Sequence, residues 1–299
     1  MKPWLVHTHV PVLGQVALSA WFTWLVIALA VGMFVAVQEQ RRAGDRPIEL
    51  VQAGMIGIVA GVIGGRLGHL FTSRQADYLA DPLALLRFWE GGMVLYGGLA
   101  LALLASAAWI RLRGMSFLRS ADAAAPALAI GVALGRVGCL SAGCCYGRPI
   151  DWGTGIEWPW GVVFLQGVVP DILRGIPLHP TQAYAAAAGL ALFGFLRALR
   201  ARQSFDGQVI GALLVGYPLM RGTVELFRLD LERGFFLPGV FGQTISTSQA
   251  LSVPVLVLGV GTLVVAHRRA RDESLLGLDA QGAREARQRS RIEAALAAR

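Results

Sequence analysis

The chain has 299 residues, 55% of them hydrophobic and only 15% charged, with a formal net charge of +8. Its mean hydropathy of +0.56 is beyond the range of ordinary soluble domains and is that of a polytopic membrane protein. The positive charge does not indicate nucleic acid: the basic residues sit in short clusters between apolar runs, and no basic face with interleaved aromatics accompanies them.

Met1 to Leu13 reads as a short leader whose Trp4, His7 and His9 suit a membrane interface. The first apolar run, Val16 to Val37, carries Trp21, Phe22 and Trp24 near its start and no secretory cleavage site, so it is expected to be an uncleaved first span. Arg41, Arg42 and Arg46 follow. A glycine-rich second span covers Val51 to Phe71, and Asp81-Pro82 opens a segment patterned as an amphipathic surface helix. Span three runs from Gly91 to Trp109, followed by Arg111, Arg113 and Arg119. Span four runs from Asp122 to Leu140.

Residues 147–179, with Trp152, Trp158, Trp160 and several prolines and glycines, predict a small extracytoplasmic cap. Span five covers Pro180 to Leu196, ahead of Arg197, Arg200 and Arg202. Span six covers Val209 to Phe227 and span seven Ser248 to Ala266. The expected fold is therefore an all-α polytopic membrane protein with about seven transmembrane helices over 1–266 and a charged tail over 267–299.

Arginine clusters fall after spans one, three, five and seven, which predicts an outside N-terminus and a cytoplasmic C-terminus. The even-numbered spans then end outside. Arg66, Arg136 and Arg221 lie late in spans two, four and six, so topology alone gathers three guanidinium groups beneath the cap. A guanidinium in or near hydrocarbon costs several kcal/mol, of order ~3 by insertion scales, and faces a partner, a ligand or water. Snorkelling to the interface is the alternative for each. Three together point to a shared anionic ligand.

Arg136 belongs to the stretch Gly135-Arg136-Val137-Gly138-Cys139-Leu140-Ser141-Ala142-Gly143-Cys144-Cys145-Tyr146-Gly147-Arg148, which holds every cysteine of the chain. Three readings of the cysteines stand open from sequence: buried small hydrophobes, a disulfide on the oxidising side, or a metal site with His179 as a candidate further ligand. His179 itself orders the junction of cap and span five or serves phosphate or proton chemistry. Glu225 lies one helical turn after Arg221 and can pair with it. Arg228, Asp230 and Arg233 form a polar outer loop.

The ordered motifs Gly64-Gly65-Arg66, Asp81-Pro82-Leu83, Gly91-Gly92-Met93 through Tyr96-Gly97-Gly98, Gly135 to Gly138 with Gly147, His179-Pro180-Thr181-Gln182-Ala183-Tyr184, and Arg221 with Glu225, Phe227 and Arg228 resemble prolipoprotein diacylglyceryl transferases. The resemblance implies transfer of the diacylglyceryl group of phosphatidylglycerol to the lipobox cysteine of a preprolipoprotein signal peptide, in the bacterial cytoplasmic (inner) membrane, with no metal or soluble cofactor. It assigns Tyr96, Arg136 and Arg221 as catalytic, and Arg66, Gly97, Gly98, Gly138, Gly147, His179, Glu225 and Arg228 as substrate-binding. On that resemblance the three cysteines are dispensable, because the reacting thiol belongs to the substrate. The chain departs from the family's pattern where Tyr96 replaces a histidine, where Cys139, Ala142 and Cys144 replace two asparagines and a glutamate, and at Phe22 and Ala185. A phospholipid-binding homologue without transfer and a membrane thiol oxidoreductase are the alternatives.

Overall fold

The computed structural model describes residues 4–10, 14–72, 81, 93–150, 159–229, 235–240 and 243–275. Seven long helices dominate: α1 (Ala20–Arg42), α2 (Pro47–Thr72), α3 (Leu95–Leu112), α4 (Phe117–Ala142), α5 (Thr181–Ala201), α6 (Gln208–Glu225) and α7 (Thr247–Leu275). They correspond to the seven expected spans. Six are long and apolar enough to cross a membrane. The exception, α6, is the helix that carries buried Arg221 and Glu225. Large apolar side chains such as Phe34, Leu104 and Val257 stand exposed on the outward faces, as a hydrocarbon solvent requires.

Three two-stranded antiparallel pairs and a 3-10 turn (Asp171–Leu173) are the other regular elements among the described residues: β1 (Trp4–Val10) with β2 (Gly14–Ser19), β3 (Val162–Val163) with β4 (Pro177–Leu178), and β5 (Phe235–Val240) with β6 (Gln243–Ser246). The first hairpin takes up residues expected in the leader and the start of span one, so α1 begins at Ala20. At the other end α7 runs on through the basic run His267 to Arg271 as far as Leu275. The amphipathic segment after Asp81-Pro82, Gly91, Gly92, Trp152, Trp158, Asp230, Arg233 and the rest of the tail lie outside the described residues.

The centre of the bundle is α4, which packs against α1, α5 and α6. Small residues make this possible: Ala123, Ala125, Ala129 and Ala133 are all buried, and small side chains let helix backbones approach. α2 and α3 meet most closely of all. A Cβ at Gly64 would sit 2.4 Å from the Gly97 carbonyl oxygen, and one at Gly97 would sit 2.5 Å from that of Gly64.

One buried carboxylate fixes the entry of α6. Asp122 of α4 is fully buried. Its Oδ2 accepts from the Gly207 N–H at 2.6 Å and from Gln203 Nε2 at 2.6 Å, and its Oδ1 accepts from the Ile210 N–H at 2.8 Å. The first N–H groups of a helix have no partner within it and favour a negative charge. At the same end of the bundle, Arg113 makes a two-pronged pair with Glu49 (2.7 and 2.8 Å), Arg119 pairs with Asp45 at 2.6 Å, and Arg42 and Arg197 approach Glu39 at 2.8 and 3.3 Å. Arginines of the predicted cytoplasmic clusters thus tie neighbouring helices together there.

Candidate active site

The opposite end is built by the connection that leaves α4. Gly143 ends the helix in the left-handed region, at φ 72°. Cys145 follows at φ 59°, a conformation uncommon outside glycine, asparagine and aspartate. The chain then passes between two others. The Gly147 N–H donates to the His179 carbonyl at 3.1 Å, the Arg148 N–H to the Phe227 carbonyl at 2.9 Å, and the His179 N–H to the Arg148 carbonyl at 2.9 Å. A Cβ on Gly147 would lie 2.5 Å from the His179 oxygen and 2.8 Å from that of Phe227. Only glycine fits this three-way crossing, which ties the ends of α4 and α6 to the start of α5.

Two buried side chains at the start of α5 reinforce it. Thr181 Oγ1 donates to the Cys145 carbonyl at 2.6 Å, and Gln182 Nε2 donates to the Cys144 carbonyl at 2.7 Å. The cap hairpin covers this junction, with Tyr146, Phe164, Val169 and Leu178 forming a small apolar core of their own.

Charge gathers where α6 ends. Arg221 is buried, pairs with Glu225 one turn later, and donates from Nη2 to Ser248 Oγ of α7 at 2.8 Å. Arg228 approaches the same Glu225 oxygen at 3.8 Å. Among the described residues two guanidinium groups therefore face one carboxylate. Arg136 and Arg228 both lie close enough to Arg221 for their charges to act on it. Among the described residues Arg136, half-buried late in α4, makes no ion pair or hydrogen bond. A planar guanidinium in that position is suited to two-point recognition of phosphate oxygens.

Next to this cluster is a largely apolar cavity of about 480 Å³ between α5 and α6. Ala188, Met220, Val224 and Phe227 line it, with Trp160, His179 and Tyr184 at its polar edge. Trp160 Nε1 donates to the Tyr184 hydroxyl at 2.8 Å, and that hydroxyl lies 3.1 Å from His179 Nδ1. With its oxygen already accepting from Trp160, Tyr184 is placed to donate its own proton to Nδ1 of a neutral imidazole. Burial, reinforced by the Arg148 guanidinium, holds the pKa of His179 below the ordinary histidine value, which favours that neutral form.

The family model for prolipoprotein diacylglyceryl transferase matches residues 10–265. The chain belongs to the prolipoprotein diacylglyceryl transferase family. It is a multi-pass membrane protein. Three relatives, each named phosphatidylglycerol–prolipoprotein diacylglyceryl transferase, show the breadth of the likeness. That of Geobacter sulfurreducens is 34% identical over 255 residues, 83% of this chain and 92% of its own length. That of Cupriavidus pinatubonensis is 36% identical over 214 residues, 71% and 72% of the two chains. That of Paracidovorax citrulli is 38% identical over 216 residues, 72% and 75%.

Among the residues expected to form the transferase site, the structure brings Arg221, Glu225 and Arg228 into one cluster, with Gly147 and His179 at the adjoining crossing. Arg66 is buried within α2. Gly97 and Gly98 lie on the helix contact instead of lining a cavity: a Cβ on Gly98 would meet the Gly61 oxygen at 2.8 Å. Gly138 faces α1, where a Cβ would lie 3.0 Å from Trp24 Cβ. Tyr96 occupies the first turn of α3 with 48% of its surface exposed. Among the described residues no hydrogen bond links it to the arginines. Sequence reasoning missed the roles of Gln182, Tyr184, Arg148 and Ser248. The first two sit in the His-Pro-Thr-Gln-Ala-Tyr motif, which was the available signal; Arg148 and Ser248 carried none beyond their residue type.

Proposed function

We propose that this chain transfers the diacylglyceryl group of phosphatidylglycerol to the cysteine thiol of prolipoprotein signal peptides, at the outer side of the bacterial inner membrane. The observation that carries the reading is the cluster of Arg221 and Arg228 around Glu225, with Arg136 nearby and an apolar cavity beside it. A phospholipid is an anion joined to hydrocarbon, and this site offers both complements within one helix turn.

In this reading Arg136 and Arg221 hold the phosphate and stabilise it as charge accumulates on the leaving oxygen, while the cavity receives apolar parts of the substrate. Glu225 holds Arg221 in place and keeps the free site from carrying three uncompensated charges. Tyr96, in the first turn of α3, is assigned a place near the acceptor thiol in this reading. The arginine asymmetry supports an outside N-terminus, which turns the phosphate cluster to the outer leaflet.

The test supplies purified protein with phosphatidylglycerol and a lipobox peptide. Mass spectrometry is expected to find a thioether-linked diacylglyceryl peptide, with release of one glycerol phosphate per product. Binding of the lipid with no product under any condition that keeps the protein folded would remove the transferase reading and leave a lipid-binding homologue.

A further inference from the structure

Every cysteine of the chain sits where α4 ends, and the Sγ atoms of Cys139, Cys144 and Cys145 all lie within 4.8 Å of one another. All three are free thiols and half-buried. The gap from there to a bonded pair at about 2.05 Å is within the swing of a cysteine side chain about its first dihedral. A structural staple would need only two of them. It would also span more chain, since a bridge across a handful of residues constrains the unfolded state least. Three sulfurs in mutual reach are what thiol–disulfide exchange uses: one attacks, and a second resolves the mixed disulfide.

The three are not equivalent. Adjacent Cα atoms stand about 3.8 Å apart, short of the roughly 4.4 Å that an unstrained disulfide needs. Cys144 and Cys145 therefore do not pair with each other, and Cys139, in the last turn of α4, is the resolving partner. Cys144 Sγ already donates to the Cys139 carbonyl at 3.7 Å. Cys145 is the sulfur best supported as a thiolate. Hydrogen bonds from the Cys139 and Cys144 thiols, with the charges of Arg228 and Arg136, hold its thiol below the ordinary cysteine value, and the thiolate is the attacking form. Arg136 lies one turn before Cys139, and Arg228 forms a backbone bridge with Gly147, two residues after Cys145. Guanidinium groups on both sides favour a disulfide that brings an anionic half.

We propose that Cys139, Cys144 and Cys145 form a thiol–disulfide exchange centre that frees the acceptor cysteine of a signal peptide from a mixed disulfide with a small anionic thiol. The identity of the acceptor rests on the transferase reading above: transfer consumes a free thiol, and the outer side of the membrane is where thiols become oxidised. Cys145 attacks the sulfur of the small thiol, whose carboxylates face Arg136 and Arg228. The peptide sulfur leaves with the bonding electron pair and takes a proton from solvent. The Cys139 sulfur then attacks Cys145 Sγ, and its proton goes to the departing small thiol. The peptide's disulfide is reduced by two electrons, and the chain keeps a Cys139–Cys145 disulfide. A protein dithiol of the outer side returns that bond to two thiols by a second exchange.

The experiment uses full-length, pre-reduced protein in phosphatidylcholine nanodiscs and a lipobox peptide whose cysteine is disulfide-bonded to glutathione. Phosphatidylglycerol is left out, so transfer plays no part in the readout. One free peptide and one glutathione per chain are expected, at least tenfold faster than an equal concentration of free cysteine releases them. Mass spectrometry of the chain is expected to show loss of two hydrogens and a Cys139–Cys145 link, which dithiothreitol reverses. Cys145→Ser lowers the release at least tenfold, and Cys139→Ser stops the reaction with glutathione left on Cys145. Release no faster than free cysteine gives, from folded unsubstituted protein, overturns the proposal, and so does an equal rate in Cys145→Ser. Glutathione retained on the unsubstituted chain with no internal disulfide also overturns it. Equal rates for a glutathione-blocked peptide lacking the apolar signal segment overturn the acceptor's part. Exchange by a protein that forms no thioether from the freed peptide and phosphatidylglycerol supports the centre and counts against the transferase reading; transfer without exchange does the reverse.

Discussion

At the residue scale, Arg136 is the sharpest point of the site because no partner among the described residues explains its place late in α4. A hydrogen bond to a charged group contributes about 1.5–3 kcal/mol. Arg136→Ala is therefore expected to lower transfer by roughly tenfold to a hundredfold, and Arg136→Lys to lose much of it, since lysine keeps the charge without the planar fork. Transfer rates at matched membrane levels check this; a lysine variant equal to the parent would leave only snorkelling. His179 supplies a pH test. Its folded-state pKa is lowered, by burial first and Arg148 second, so the unfolded chain binds the proton more readily. Stability is then full above the unfolded value of about 6.5 and falls as pH drops through the folded one. Thermal midpoints in detergent between pH 7 and 5 are expected to fall more steeply for the parent than for His179→Gln. The motifs made Arg221, Glu225 and Arg228 legible in the sequence because an i, i+4 pair beside a further arginine needs no tertiary knowledge. They did not reveal that Gly97 and Gly98 face α2, since a glycine reads alike whether a ligand or another backbone approaches it.

At the scale of elements, apolar runs located all seven helices, six of which are long and apolar enough to cross hydrocarbon, where backbone polar groups must be satisfied internally. They misjudged the helix ends. The hairpin at Trp4–Val10 and Gly14–Ser19 and the extension of α7 to Leu275 are set by pairing and helix propagation, which apolarity does not report. The Gly147 crossing joins three elements through backbone alone. Gly147→Ala is expected to destabilise the fold by about 1–3 kcal/mol through overpacking, read as a lower thermal midpoint and reduced yield of inserted protein. Asp122 holds α6 by three hydrogen bonds. Removing it leaves the Gly207 and Ile210 N–H groups buried without their acceptor. Asp122→Ala, and to a lesser degree Asp122→Asn, is expected to lower the midpoint and to weaken transfer together, although the residue is far from the arginine cluster at the other end of α6.

At the scale of the whole molecule, the two ends of the bundle differ in kind. One is laced by arginine–carboxylate pairs; the other, among the described residues, gathers Arg221 and Arg228 around Glu225. Reporter fusions are expected to place the loops at Arg41, Arg113 and Arg200 in the cytoplasm and the cap near Trp160 outside. A cytoplasmic cap would turn the proposed phosphate site to the wrong leaflet. The even spacing of arginine clusters is what carries this expectation, whereas the convergence of Cys139, Cys144 and Cys145 depends on a left-handed turn that composition does not encode. The Asp122 anchor has one more result. At about 1.5 Å per residue, Arg221 stands roughly 20 Å along α6 from the N–H groups that Asp122 holds. With one end of that helix bolted to α4, the distance from that end of the bundle to the arginine cluster is a fixed length, and α6 acts as a ruler. If the cluster takes the phosphate as proposed, a bilayer whose thickness matches that length brings the lipid headgroup level with the guanidinium groups. In a thicker or thinner one it arrives above or below them, so turnover in vesicles of graded acyl-chain length should pass through a maximum set by α6.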